Sequence, residues 1–123
     1  PALLPPYPLH ACQALHAAQE HSTELLLCFG GNGRSEGFSA MVRSPGARAR
    51  FVERLLALVK QWHFDGVDFN WEYPGYSFRR GYLPAHEVGE DYRGLAALVR
   101  ETKEALARGL PGRPGTVTLA YYP

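Results

Sequence analysis

The segment that decides the fold runs from residue 64 to residue 72 and reads Phe64-Asp65-Gly66-Val67-Asp68-Phe69-Asn70-Trp71-Glu72. Its β-branched and aromatic content predicts a β-strand, which the turn residues Tyr73-Pro74-Gly75 end. Because side chains in a strand alternate between its two faces, the segment has one polar face and one apolar face. The polar face carries Asp68, Asn70 and Glu72, and the apolar face carries Val67, Phe69 and Trp71.

Helices and strands alternate on both sides of this segment. The strand before it is mostly apolar and is followed by Gly30 and Gly31, which is typical of a strand buried on both faces. The alternation predicts parallel strands joined by crossover helices, in one α/β unit over residues 1–123. The other predicted elements are a helix over 9–21, a strand over 24–29, a helix beginning at Ser44-Pro45 with an apolar stripe from Phe51 to Trp62, a loop over 76–88, a helix with an apolar stripe from Tyr92 to Leu106, and a strand over 116–122.

The polar face of the central strand is the candidate site. In a closed parallel barrel, one face of each strand points inward and the other points to the helices. The apolar face suits the helix side, so the polar face is predicted to point inward with Glu72 at the C-terminal mouth, where active sites of barrels lie. Buried carboxylates cost several kcal/mol unless they are paired, bonded or protonated, which makes a packing role hard to defend. An exposed strand face with ordinary polar residues is the alternative.

Composition narrows the classes of partner. Thirteen basic and twelve acidic side chains leave a net charge of +1, which gives no electrostatic case for nucleic acid or an anionic membrane as a partner. The apolar runs are far shorter than the roughly 20 residues that a membrane helix needs. No signal peptide and no motif for a partner protein are visible in a chain that opens at Pro1.

The two cysteines, Cys12 and Cys28, match no metal or redox motif. We interpret both as small buried apolar residues, and their redox state stays open. We expect no metal and no cofactor, because no group of ligating residues has the spacing of a known site.

Residues 65–74 resemble the signature of glycoside hydrolase family 18, the chitinases and chitinase-like lectins, which has an Asp-Gly pair and a later Asp-x-Glu. Residues 27–31 are similar to the family's preceding strand, which usually has Ser where Cys28 stands. Segments at 38–45 and 50–52 continue the match, which is strong over 24–76 and looser elsewhere. A whole barrel takes about 250 residues. The resemblance therefore implies a partial (β/α)8 TIM barrel, a fragment of the catalytic domain covering roughly strands 3 to 5 with their helices.

The resemblance also implies a role for each site residue. Glu72 would protonate the glycosidic oxygen while the substrate's own N-acetyl carbonyl attacks the anomeric carbon, a substrate-assisted retaining mechanism. Asn70 stands where active members have an Asp that orients the acetamido group, and Asp68 would share that network. An amide cannot carry negative charge, so Asn70 would attenuate activity. The remaining predicted residues are Trp71, Tyr73, Gly30 and Gly31 for substrate binding, and Asp65 and Gly66 for structure.

The expected function is hydrolysis of chitin and other β-1,4-linked N-acetylglucosamine oligosaccharides. The first alternative is a catalytically silent, chitin-binding lectin of the same fold, favoured by Asn70 and disfavoured by the retained Glu72. The second alternative is an unrelated α/β domain with a structural role. The family implies an extracellular or secretory-pathway location.

Overall fold

The structure is a computed structural model that describes residues 9–120, with side chains from residue 13 onward. The last residues of the predicted third strand, 121 and 122, lie outside this range, as does the Cys12 side chain. Within it, no helix combines the length and the hydropathy that crossing a bilayer requires. The elements are α1 (Leu9–Glu20), β1 (Leu26–Gly30), α2 (Phe38–Arg43), α3 (Pro45–Gln61), β2 (Gly66–Asn70), β3 (Tyr76–Ser77), β4 (Gly81–Tyr82), α4 (Ala85–Gly109) and β5 (Thr116–Leu119).

The main sheet has three parallel strands in the order β1-β2-β5. The central strand is the one that bears the site motif, and it pairs with both neighbours, as the alternation of elements predicted. In the register, Cys28 stands opposite Asp68, and Asp68 stands opposite Thr118. One row of side chains therefore crosses all three strands at the middle of β2.

The core lies between this sheet and the helices. Val67 and Phe69 have no exposed surface, and Trp71 is 5% exposed. They belong to one apolar cluster that also includes Val52, Leu55, Val59, Leu98 and Leu106 from α3 and α4. The predicted apolar face of β2 is thus the helix-facing side of the sheet. Strand β1 is only half-buried, which corrects the prediction that it is buried on both faces.

Two helices begin by different means. As predicted, α3 begins after Ser44, whose hydroxyl accepts a bond from the Ala47 N–H at 3.3 Å, with Pro45 in the first turn. The preceding α2 was not predicted. It follows Gly37, which has a φ of 91° and provides no side-chain cap, and it has only six residues. Burial of Phe38 and Val42 therefore stabilises this short helix, because no side chain caps its first turn.

The region between β2 and α4 differs from the predicted loop. It contains the antiparallel hairpin β3–β4, in which Tyr76 pairs with Tyr82, and α4 already begins at Ala85. The apolar stripe of α4 also starts differently. Tyr92, which was predicted to lie on it, is 42% exposed, whereas the neighbouring Asp91 is 1% exposed. The helix therefore directs a charged residue, not the tyrosine, toward α2.

Candidate active site

Asp68 is held from both neighbouring strands. Its carboxylate accepts a hydrogen bond of 2.6 Å from the Thr118 hydroxyl on β5 and one of 3.2 Å from the Cys28 thiol on β1. Both donors stand opposite Asp68 in the parallel register, so the sheet itself fixes the direction of the carboxylate. Of the polar residues predicted from the sequence, Asp68 is thus a hydrogen-bonded carboxylate rather than an unpaired charge.

Cys28 is exposed, and the interpretation of this residue as a small buried hydrophobe was wrong. Its alternation with Leu27 and Phe29 places it on the polar side of the sheet, beside Asp68. Partial burial of the thiol raises its pKa, and the hydrogen bond and negative charge of Asp68 raise it further. Although the residue as a whole is exposed, its thiol is therefore kept in the neutral, hydrogen-bond-donating form.

Asn70 carries a free acceptor. Its side-chain oxygen is buried and has no hydrogen-bond partner among the described residues. An amide oxygen can accept a donor from a ligand but cannot carry charge. A buried acceptor without a partner costs free energy, so the side-chain oxygen of Asn70 is a candidate acceptor for a donor from outside the described residues.

Gly30 and Gly31 lie against the backbone of Asn70. The Gly31 N–H donates to the Asn70 carbonyl at 2.8 Å, and Gly30 has a φ of 101°. A Cβ atom at Gly30 would lie only 2.2 Å from that carbonyl oxygen. These two glycines, predicted to bind substrate, thus allow β1 to close on β2 beside the site.

Asp65 and Gly66 join the beginnings of the strands. The Asp65 carboxylate accepts bonds from the Leu25 N–H at 2.9 Å and from the Arg113 guanidinium at 3.1 Å. At Gly66, a Cβ atom would lie 2.0 Å from the carbonyl oxygen of Thr116, so only glycine permits the approach of β5. Both residues therefore act at the end of β2 opposite to Glu72.

Strand β2 ends at Asn70, so it is shorter than the predicted strand over 64–72, and Glu72 lies two residues beyond its end. Glu72 is half-buried. It lines a groove of about 500 Å³ whose other residues are Asn32, Tyr73, Tyr76, Phe78 and Tyr82. The peptide bond between Glu72 and Tyr73 is cis. Among the described residues that line the groove, Glu72 is the one with a carboxylate, and four of the others are aromatic.

The two aromatic residues beside Glu72 lie in different surroundings. Tyr73 is 37% exposed and lines the groove. Trp71, also predicted to bind substrate, lies in the helix-side core, where its ring stacks on Phe38 with 5.4 Å between centroids. Trp71 therefore packs behind the site, and the groove is formed without it.

Asp91 is a site-supporting residue that the sequence analysis missed. It accepts hydrogen bonds from the Ser39 hydroxyl at 2.7 Å, from Arg43 Nε at 2.7 Å and from the buried Gly75 N–H at 2.9 Å. Its negative charge raises the pKa of Arg43, chiefly through their hydrogen bond. Since Gly75 follows Glu72 by three residues, Asp91 ties the chain after the candidate acid to α2 and α4. The available signal was a carboxylate next to the apolar stripe of a long helix.

Among residues 13–120, no three His, Cys, Asp or Glu side chains are grouped so that they could hold a metal ion.

Similarity to known proteins agrees with this geometry. The sequence profile described as Glycosyl hydrolases family 18 matches residues 8–120. Over 90 residues the chain is 33% identical to the Drosophila melanogaster protein named Probable chitinase 10, an alignment that covers 69% of this chain and 4% of the fly protein. The residues that the family profile matches, 8–120, include every residue of the candidate site.

Two similar solved structures contain sugar oligomers. Catalytic domain 2 of the Group II chitinase from Ostrinia furnacalis, in complex with penta-N-acetylchitooctaose, has a TM-score of 0.68 and 31% identity, over 85% of this chain and 26% of that chain. The Class V chitinase from Nicotiana tobaccum, in complex with NAG4, also has a TM-score of 0.68, with 27% identity over 90% of this chain and 30% of that chain. This chain thus spans less than a third of either solved chain.

Parallel strands covered by helices, with a glutamate where the central strand ends, define a segment of an α/β barrel of the hydrolase type. The chain belongs to glycosyl hydrolases family 18, because the family profile matches nearly all of it. The predicted family and the predicted partial barrel are both confirmed.

Proposed function

We propose that the polypeptide carrying this chain hydrolyses β-1,4-linked N-acetylglucosamine polymers, with Glu72 as the proton donor. The observation that carries the proposal is the position of Glu72, at the C-terminal end of the central strand and in the wall of the 500 Å³ groove. The similar solved chitinases were determined with N-acetylglucosamine oligomers, which supports this substrate class.

In the proposed mechanism, Glu72 donates its proton to the glycosidic oxygen as the bond to the leaving sugar breaks. The carbonyl oxygen of the substrate's N-acetyl group forms the new bond to the anomeric carbon, giving a cyclic oxazolinium ion that water then opens. The free oxygen of Asn70 accepts the acetamido N–H and thereby orients the attacking group. Asp68, fixed by Thr118 and Cys28, provides a carboxylate two residues before Asn70 on the same strand.

A chitin-binding lectin of the same fold is the second candidate. Asn70 favours it, because a neutral amide orients the acetamido group without offsetting the positive charge of the oxazolinium ion. Both candidates bind the same sugar, so only the rate of hydrolysis separates them.

The test is Glu72→Gln in the native polypeptide that carries this chain. Gln keeps the shape of the side chain but has no proton to donate, so hydrolysis of chitin oligosaccharides should fall about a hundred- to ten-thousandfold while affinity is largely kept. The measurement is the release of reducing ends, alongside calorimetric binding of the same oligomers.

Glu53→Gln, an exposed glutamate on α3, is the matched control and should leave the rate unchanged. An undiminished rate in Glu72→Gln rules out Glu72 as the acid. Binding of oligomers with no hydrolysis by the parent protein supports the lectin instead.

A further inference from the structure

One buried carboxylate connects the turn after Glu72 to the helices. Asp91 on α4 is 1% exposed, and its two oxygens have different partners. Its Oδ1 atom accepts from the Ser39 hydroxyl and from Arg43 Nε, each at 2.7 Å, and both donors lie on α2. Its Oδ2 atom accepts from the Gly75 N–H at 2.9 Å. One oxygen therefore fixes Asp91 to α2, and the other oxygen holds the turn.

The charge of Asp91 is paired inside the fold. A buried carboxylate is strongly unfavourable unless it is paired and hydrogen-bonded, and Arg43 provides the opposite charge. The hydrogen bond from Arg43 to Asp91 raises the pKa of Arg43, which keeps the guanidinium charged. A buried ion pair adds little net stability compared with apolar side chains of the same volume. The direction of its bonds therefore explains a charge at position 91 better than the stability of the fold does.

The turn over residues 73–76 has little freedom of its own. Its two middle residues, Pro74 and Gly75, are buried, and the ring of the proline restricts its φ. The N–H of the last residue donates to the carbonyl of the first at 3.1 Å, which closes the turn. Glu72 is covalently joined to this closed unit, so a shift at Gly75 also moves the candidate acid.

The side chain of Glu72 has no anchor of its own in the described part of the chain. Among residues 13–120, no side chain is hydrogen-bonded to its carboxylate or paired with it. The place of the carboxylate therefore depends on the backbone path from β2 to Gly75. That path is fixed at one end by the pairing of β2 in the sheet and at the other end by the bond from Gly75 to Asp91.

We propose that Asp91 is a positioning residue for the hydrolysis reaction, because its bond to the Gly75 N–H sets the place of the Glu72 carboxyl relative to the glycosidic oxygen. This inference rests on the proposed function. Asp91 is buried and does not line the groove, so we expect no contact between Asp91 and the sugar. Loss of the bond should therefore lower the rate of proton donation and leave the affinity for oligosaccharides largely unchanged.

The test is Asp91→Asn in the native polypeptide that carries this chain. The single amide oxygen of Asn can accept from Ser39 and Arg43, which places its NH2 group against the Gly75 N–H, where two donors cannot bond. The kcat for chitin oligosaccharides should fall about ten- to a hundredfold, with KM little changed, because a small displacement of a reacting group has effects of this size. The measurement is the release of reducing ends.

Ser39→Ala is the matched control. It removes one hydrogen bond to the same carboxylate and keeps the bond from Gly75 to Asp91. Its kcat should equal that of the parent protein, and both variants should show small losses in melting temperature. The control therefore separates the bond to the turn from the other bonds of Asp91.

A second substrate distinguishes a misplaced acid from general damage to the site. An N-acetylglucosamine oligosaccharide with a nitrophenyl leaving group needs little proton donation, because nitrophenolate is a weak base. The kcat/KM for release of nitrophenol, which reports the bond-breaking step, should fall much less in Asp91→Asn than kcat/KM for the unmodified oligosaccharide. Glu72→Gln should show the same dependence on the leaving group.

Gly75→Ala is the second variant, for the case in which Asp91→Asn does not fold. Gly75 has a φ of 79°, and a Cβ atom there would lie 2.6 Å from the Val88 side chain. The added methyl group should displace the turn while the pair of Asp91 and Arg43 stays whole. The same dependence on the leaving group is expected, and its absence would contradict the positioning role.

The outcomes separate the two proposals. If the parent protein hydrolyses no oligosaccharide, or if Glu72→Gln hydrolyses them at the parent rate, the proposed function fails. If Glu72→Gln is inactive while Asp91→Asn matches Ser39→Ala, the positioning role is wrong and the function stands. Equal losses on the two substrates in Asp91→Asn also overturn the positioning role, because Asp91 then supports the fold rather than the acid.

Discussion

The helix-facing side of β2 and its opposite side are formed by alternate residues of one short strand, yet they are held together in different ways. On the helix side, Val67, Phe69 and Trp71 are buried among apolar side chains of α2, α3 and α4. On the other side, Asp68 is held by directed hydrogen bonds from both neighbouring strands, and Asn70 keeps an oxygen without a partner among the described residues.

Because the two sides of β2 are held in different ways, substitutions on them should change different measured quantities. Apolar packing is nondirectional and follows buried area, so losses on the helix side should appear in the free energy of unfolding. Hydrogen bonds and charges are directional, so changes on the polar side should appear in rates and in proton affinities. Substitutions on alternate residues of β2 test whether the division holds.

The largest effect is expected from Phe69→Ala, which empties the middle of the helix-side core. Phe69 has no exposed surface and contacts the rings of Phe29 and Phe51. The free energy of unfolding of the native polypeptide should fall by about 3–5 kcal/mol, measured by denaturant unfolding. Leu58→Ala on α3, where the side chain is 39% exposed, is the control and should cost far less. Equal losses from the two substitutions would contradict the assignment of the core.

On the polar side, Asn70→Asp should raise kcat for chitin oligosaccharides with little change in KM. A carboxylate near the oxazolinium ring stabilises the charge that develops in the transition state, by roughly 1.4–3 kcal/mol, or ten- to a hundredfold in rate. The pH–rate profile should change as well, because the substitution adds an ionisable carboxyl group to the site.

The control for Asn70→Asp is the affinity of parent and variant for an oligosaccharide that is not hydrolysed. An unchanged kcat, with fold and affinity intact, would show that charge offset at position 70 does not limit the reaction. The site would then be either that of a lectin or that of an enzyme working without this carboxylate.

The smallest effect concerns the thiol of Cys28. Asp68 raises the pKa of Cys28 by accepting its hydrogen bond and by its negative charge. Asp68→Asn should therefore lower that pKa, increase the thiolate fraction at a given pH and speed alkylation severalfold, moving the pH–rate curve to lower pH. The measurement follows alkylation of the Cys28-containing peptide by mass spectrometry in the native polypeptide, so that other thiols do not contribute. Glu24→Gln, which alters a carboxylate bonded to Thr116 instead, should leave the curve in place.

The strand pattern was predictable because it is local. The period of two from Val67 to Trp71 determines which residues face the helices, and the parallel order follows from the alternation of elements. By contrast, α2 has six residues and no side-chain cap, too short for a helical period to be recognised. The strands of the hairpin have two residues each, which is too short for an alternating pattern to be recognised. Their pairing depends instead on the hydrogen bond from the Leu83 N–H to the Gly75 carbonyl.

The role of Asp91 could not be derived from its own segment. Its three partners, Ser39, Arg43 and Gly75, are at least 16 residues away in the chain. Helical spacing gave a stripe beginning at Tyr92, one position from the residue that is buried. A paired carboxylate can occupy a core position that a count of apolar residues assigns to its neighbour.

Gly75 anchors the start of the hairpin β3–β4 independently of strand β2. The Gly75 N–H donates to Asp91, and the Gly75 carbonyl accepts from the Leu83 N–H. The two ends of the hairpin segment, residues 76–82, are therefore held together at one point. A hairpin of different length or sequence could therefore start and end at the same two bonds, while Gly75 keeps its contact with Asp91 and the chain keeps its path at Glu72.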